Sequence, residues 1–448
     1  MKRSIIIMAI LIGSNLGSYQ RKVLKNGLTL LVYQKEKLPV VSCVYAFKAG
    51  SVYDPEGKEG LANLTLSMLE KRTRTKSAEE IQEEFAILGT RFSYDVSRIF
   101  STFTITTLEE NIDKSLSLMY DIIYNPVFPE QEFNRERERL INEIISNKSD
   151  PDYVSEVIFT KHLYNEHPLG HLSAGDENTV RNIELEDIKK FYKDYFKPSN
   201  AICVIVGSLP ENKLIEIGEK YFGKGEKEIV NLPEIPVPEK PEGINVKIFN
   251  MKVNQSFIEM GHFGPKRASE DFNSARVMNY ILGGGGFASR LFEEIRNKRG
   301  YAYSVYSFFR INDPFPSTYI FGLQTKIENT NDAIKVIFDE INKIKKDIKD
   351  EEIKDTKGYF KGYLPRITET YSQIASNLLT QELYGLEPFF WEKDVEKIQK
   401  LSKEQILESA KKYLDPENIL IVIVTDTSKY KWNVKDLKGA NVEIIEKF

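Results

Sequence analysis

Two segments of this chain repeat one another. Residues 185–207 read LEDIKKFYKDYFKPSNAICVIVG, and the chain from Ser402 reads SKEQILESAKKYLDPENILIVIVT. Aligning Asn200 with Asn418 also places Pro198 on Pro416, Tyr195 on Tyr413 and Cys203 on Ile421. In each copy an amphipathic helix stops before a proline, which cannot continue it, and a continuous apolar run then reads as a buried strand. Because the two halves also share one order of elements, duplication accounts for the match better than chance does. A duplicated chain of 448 residues is expected to form two similar domains, since single cores seldom grow beyond about 250–300 residues.

The join between the copies is residues 227–243. Pro233, Pro236, Pro238 and Pro241 stand there among Glu and Lys, a composition that supports neither a helix interior nor a central strand. The first domain is therefore 19–226 and the second 244–448. In the first, 27–33, 40–48 and a pair within 91–108 read as strands, and 59–70, 78–87, 111–123 and 130–145 as helices. In the second, 255–261, 303–311 and 317–324 read as strands, and 271–282, 288–297, 330–345 and 351–370 as helices. The fold class is α+β, two homologous domains each packing an antiparallel-rich sheet against helices.

Apolar residues make up 41% of the chain and charged residues 29%, a balance that suits packed interiors and excludes disordered or all-membrane chains. The 62 basic and 66 acidic side chains are intermixed, which leaves no positive field to hold nucleic acid. Met1-Lys2-Arg3, the apolar run 4–12 and the small residues Gly13, Ser14, Gly17 and Ser18 form the pattern of an export signal over 1–18. The run is too short to span a bilayer. The mature chain is expected to begin near Ser18, in the periplasm or otherwise outside the cytoplasm. Cys43 and Cys203 lie far apart in β-branched apolar runs, as two buried thiols or as one bridge between neighbouring strands.

Residues 57–81, GKEGLANLTLSMLEKRTRTKSAEEI, and 289–305, SRLFEEIRNKRGYAYSV, resemble the two signature regions of the pitrilysin and mitochondrial processing peptidase family. Similarity in element order runs from about Tyr19 to the C-terminus. Active members of that family carry His-x-x-Glu-His in the first region, where two histidines one helical turn apart hold zinc and the glutamate polarises a water. This chain has Asn63, Leu64, Thr65, Leu66 and Ser67 there, in a register fixed by Gly60-Leu61-Ala62 before and Met68-Leu69, Lys71 and Thr73 after. The resemblance places the family's third ligand at Glu143 and its supporting acid at Glu136. One carboxylate cannot hold zinc alone, and the alkyl side chain of Leu66 cannot serve as a base. No metal is expected in this chain, and Glu143 reads as a relic or a salt-bridge partner.

The second region is complete. The resemblance assigns Arg296 and Tyr303 to binding the substrate backbone and stabilising the oxyanion, with Gly300 turning the chain between them. A guanidinium offers paired donors and a phenol one more. The run Gly283, Gly284, Gly285, Gly286 lacks the Lys-Ser/Thr ending of a phosphate loop and reads as a flexible, close-approach loop beside a peptide groove. His162, His167 and His171 fall in a stretch that resembles a non-ligand His-Pro-Tyr-Gly segment, with Leu169 for Tyr; His262 reads as structural.

The resemblance thus implies the non-catalytic subunit of a two-chain zinc peptidase, with zinc in a homologous partner and unfolded peptides as substrates. A stand-alone peptide-binding scaffold is the alternative, and an active peptidase with unorthodox ligands is a third reading that stoichiometric metal would have to support.

Overall fold

The computed structural model describes residues 18–434, 437 and 439–446. The export reading falls on the head of the chain, of which 1–17 lie outside the described residues.

Each copy of the repeat builds one six-stranded mixed sheet, so the fold is α+β. The first sheet contains β1 (Tyr19–Val23), β2 (Thr29–Gln34), β3 (Val40–Phe47), β4 (Arg91–Val96), β5 (Ser101–Leu108) and β6 (Ala201–Gly207), in the order β1-β2-β6-β3-β5-β4. The second contains β7 (Ile244–Asn250), β8 (Gln255–Phe263), β9 (Val305–Arg310), β10 (Thr318–Lys326), β11 (Ile419–Thr425) and β12 (Asn441–Ile445), in the order β12-β7-β11-β8-β10-β9. Five strands match one for one. The sixth differs: β1 is the antiparallel neighbour of β2, whereas β12 runs parallel to β7. The offset between Asn200 and Asn418 carries β6 onto β11, and the preceding helix Leu185–Tyr195 onto Lys403–Tyr413, end to end.

Every residue of β6 and of β11 is buried, the pattern of a strand covered on both faces. The covering explains a departure from the expected domains. Among the described residues, the first compact unit comprises those up to Ile144 together with 172–235 and 365–389; the second comprises 145–171, 236–364 and those from Phe390 onward. In the first unit the late helix Tyr371–Leu383 packs on β3 and β6, and in the second the early helix Pro151–Tyr164 packs on β8 and β11. The contiguous segments 19–226 and 244–448 are the repeats of the sequence, and each compact unit borrows one helix from the other repeat.

Specific bonds fix both borrowed helices. Tyr371 Oη donates to the Lys35 carbonyl (2.6 Å) and accepts the Leu38 N–H (2.9 Å), while Lys35 Nζ donates to the carbonyls of Thr368 and Glu369 (2.8 Å each). In the second unit Tyr164 Oη bonds Thr318 Oγ1 at 2.6 Å and Glu156 pairs with Arg310 at 2.8 Å.

Cys43 and Cys203 sit on adjacent strands as buried free thiols, their Sγ atoms 3.7 Å apart. His262 is buried; it accepts the Asp415 N–H at Nε2 and donates from Nδ1 to the Phe263 carbonyl. His167 likewise bonds backbone at both nitrogens, through Leu169 N–H and the Pro236 carbonyl. Among the described residues no helix is long and apolar enough to cross a membrane. The helix expected at 271–282 ends at Asn279 and continues as a π-turn, Tyr280–Gly284. The one expected at 288–297 is a 3-10 turn, Gly286–Ala288, followed by a π-helix, Phe292–Asn297.

Candidate functional sites: a degenerate zinc motif and an arginine–tyrosine stack

The helix Leu61–Leu69 begins where the Asp54 carboxylate accepts the N–H groups of Gly60 (2.8 Å) and Ala62 (2.7 Å), which satisfies donors that a helix start leaves open. All of its residues except Asn63 are buried. Leu66 lies wholly within the core of the first unit, and Ser67 Oγ donates to the Leu64 carbonyl at 3.0 Å. An amide, an alkyl chain and a hydroxyl already spent on its own helix do not supply the three donors that zinc requires. The residues at 63, 66 and 67 do not fit the metal.

Glu136 and Glu143, on the helix Glu130–Asn147, are each held by a cation. Glu136, its side chain only 5% exposed, accepts from Lys71 Nζ (3.1 Å) and Arg139 Nε (2.9 Å), and Arg139 reaches on to Glu143 (3.0 Å). Lys71 also lies 3.6 Å from Glu70, to which Tyr94 Oη donates. Burial by itself would raise the Glu136 pKa; the hydrogen bonds from Arg139 and Lys71 outweigh it and hold the carboxyl below its ordinary value. Arg139, Glu70 and Tyr94 were not singled out from the sequence. The spacing of Glu136, Arg139 and Glu143 along one helix face was the available signal for Arg139.

In the second unit the structure brings Arg296 and Tyr303 together. Gly300, with φ at 63°, makes the left-handed turn that returns the chain from the π-helix toward edge strand β9. Arg296 Cζ then lies 4.5 Å from the centre of the Tyr303 ring, 4.7 Å from Phe292 and 5.3 Å from Phe287. The neighbouring arginines are occupied differently. Arg290 grips Glu352 with two bonds (2.7 and 2.6 Å), and Arg299 pairs with Glu294 at 2.6 Å. Hydrogen bonds from Lys298 and Arg299 hold Glu294 down at a pKa of about 2. Among the described residues no carboxylate pairs with Arg296, and Tyr303 is 83% exposed.

The close approach of the glycine run is to β9 of the same unit. A Cβ on Gly283 would collide with Ser307, whose hydroxyl donates to Asn279 Oδ1 at 2.7 Å, so the π-turn seats directly on the strand. Beside Tyr303 a groove of about 520 Å³ opens, lined by Tyr306 and Phe308 of β9, Glu259 of β8, and Asp152 and Glu156 of the helix Pro151–Tyr164.

The family description "Insulinase (Peptidase family M16)" matches residues 30–177, and "Peptidase M16 inactive domain" matches residues 182–359. An uncharacterized zinc protease of Rickettsia felis is 27% identical over 407 residues, 89% of this chain and 90% of its own. The non-peptidase homolog YmxG of Helicobacter pylori is 23% identical over 434 residues, 95% of this chain and 98% of its own. Among solved structures, a peptidase M16 inactive domain from Pseudomonas fluorescens superposes with a TM-score of 0.86 at 25% identity, covering 92% of this chain and 99% of that one. With both family regions matched in order and the fold shared with a solved member, the chain belongs to the insulinase (M16) family of peptidases and their inactive homologues.

Proposed function

We propose that this chain is the non-catalytic subunit of a two-chain zinc peptidase, presenting Arg296 and Tyr303 to an unfolded peptide held at the zinc of a homologous partner. One observation carries the reading: Arg296 is stacked on Tyr303 at 4.5 Å and, among the described residues, has no carboxylate to occupy it, in a chain whose residues 63, 66 and 67 do not fit zinc. The Arg296 donors would hold the substrate carbonyl, and the Tyr303 hydroxyl would add a donor where negative charge develops. Partner, zinc and attacking water would all belong to the other chain. Export through the segment 1–18 would place the complex outside the cytoplasm.

The test is to mix the chain with a zinc-bearing homologue from the same genome, confirm the complex by size, and follow cleavage of an unstructured, internally quenched peptide. Arg296→Ala and Tyr303→Phe should assemble normally and cleave slowly. Wild-type kinetics from both variants in an assembled, active complex would leave this chain as a scaffold. Zinc-dependent cleavage by the chain alone would overturn the proposal altogether.

A further inference from the structure

We propose that Phe287 and Phe292 are positioning residues for Arg296, forming a ring platform that fixes the guanidinium over Tyr303 while leaving its N–H edge open. The inference rests on the reading of Arg296 and Tyr303 as substrate-binding groups.

An arginine can be fixed in two ways. A carboxylate engages the N–H donors along the edge of the guanidinium, whereas an aromatic ring engages its flat face. Arg290 and Arg299 are fixed in the first way, by Glu352 and Glu294. Arg296 is fixed in the second, by three rings. Only the second leaves the in-plane donors available to a carbonyl oxygen.

The two phenylalanines contribute unequally. Phe292 is buried in the core of the second unit and serves as the anchor. Phe287 is 78% exposed, so burial gives little reason for an apolar ring there. Its ring meets Phe292 at 4.6 Å, tilted by 59°, and Arg296 beyond it. The backbone aims it: the 3-10 turn Gly286–Ala288 that carries Phe287 is closed by the Ser289 hydroxyl donating to the Gly286 carbonyl at 2.7 Å. With Gly283 seated on Ser307, the glycine run leads straight from the sheet to this turn.

The experiment uses the full chain with its zinc-bearing homologue and the quenched peptide. Phe287→Ala, Phe287→Leu and Phe287→Tyr are each made alone and in an Arg296→Ala background. The alanine and leucine variants are expected to lower kcat/KM by about two- to fivefold, the scale of a surface cation–ring contact, while tyrosine restores the wild-type value. In the Arg296→Ala background all three should make no further difference. In the isolated chain, the Arg296 Nε–H resonance should move with alanine or leucine and stay with tyrosine. Equal losses in both backgrounds, or leucine behaving like tyrosine, would overturn the platform. If Arg296→Ala alone leaves the rate unchanged while its resonance still depends on the ring at 287, the substrate-binding role fails and the platform stands. If Arg296→Ala slows cleavage and Phe287→Ala does not, the platform fails and the substrate-binding role stands.

Discussion

The two units carry five strands in the same order, yet their chemically interesting positions stand in opposite relations to solvent. In the first, Leu66 and Ser67 are buried, and the helix that bears them is a packing element whose Leu64, Leu66 and Met68 belong to the core. In the second, Tyr303 is open to solvent, and the Arg296 guanidinium lies against three rings and, among the described residues, pairs with no carboxylate. Side chains of the first kind are held in place by the stability of this chain. Those of the second kind contribute little to its fold, so a partner or substrate is the natural place to look for what they do. The comparison can be broken if either site answers to the wrong assay.

The largest effect is expected at the exposed site and in rate. Arg296→Ala should slow the reconstituted complex by about 10²–10³ and Tyr303→Phe by the lower end of that range, with KM also rising for Arg296→Ala. Neither should change the unfolding free energy of the isolated chain by more than about 0.5 kcal/mol. A variant that unfolds the chain instead would erase the distinction between the sites.

Leu66→Glu reverses the assay. It places a carboxylate without a partner in the core, and should lower stability by about 3 kcal/mol while restoring neither metal nor cleavage. Denaturant titration checks this; an unshifted midpoint would show that position 66 is not the packing residue it looks like.

A smaller effect is expected at Glu136. Glu136→Gln removes the charge facing Lys71 and Arg139 and should cost about 1–2 kcal/mol at neutral pH. Because the folded-state pKa of Glu136 is depressed, its contribution is present above the unfolded value of about 4.3 and is lost as pH falls through the folded value. Wild type and variant should therefore converge in acid, and parallel stability curves would contradict the pairing.

The smallest effect sharpens the contrast between the sheets. Phe47 lies opposite Ala201 in the first; by the register of Gly261 on Leu420, His262 takes the matching place in the second. Burial, opposed by the hydrogen bond to Phe263, lowers the His262 pKa from 6.5. Stability from the neutral imidazole is present above about pH 6.5 and is lost as pH falls toward the lower folded value. Thermal melts at pH 7 and 5.5 should show a loss in the second unit that His262→Gln reduces, by under about 1 kcal/mol. A loss that remains undiminished in that variant would assign the pH sensitivity elsewhere.

The central strands were legible because they are unbroken apolar runs, and the helix Leu61–Leu69 because it is apolar along most of its length. The borrowed helices were not. In Pro151–Tyr164 the buried Val154, Ile158, Phe159 and Leu163 are joined by Ser155 and Thr160, so no single apolar stripe announces the helix. The parallel strand β7 was hidden directly behind the proline-rich linker. The resemblance singles out Arg296 and Tyr303 but not their aromatic setting: Phe287 is carried on a 3-10 turn and Arg296 on a π-helix, and neither follows the 3.6-residue period by which side chains are assigned to a common face.

The borrowed helices also impose a schedule on synthesis. When β6 leaves the ribosome the first sheet has all its strands, but the helix Tyr371–Leu383 that covers β3 and β6 is made only after β7, β8, β9 and β10. At ~5–20 residues per second that interval is on the order of ten seconds. Throughout it, an apolar sheet face is without its cover and exposed to whatever else is nearby. A nascent chain of this kind has reason to depend on a holding chaperone, and a stop codon placed in the linker would yield a polypeptide that contains every strand of its sheet and still lacks the helix that closes it.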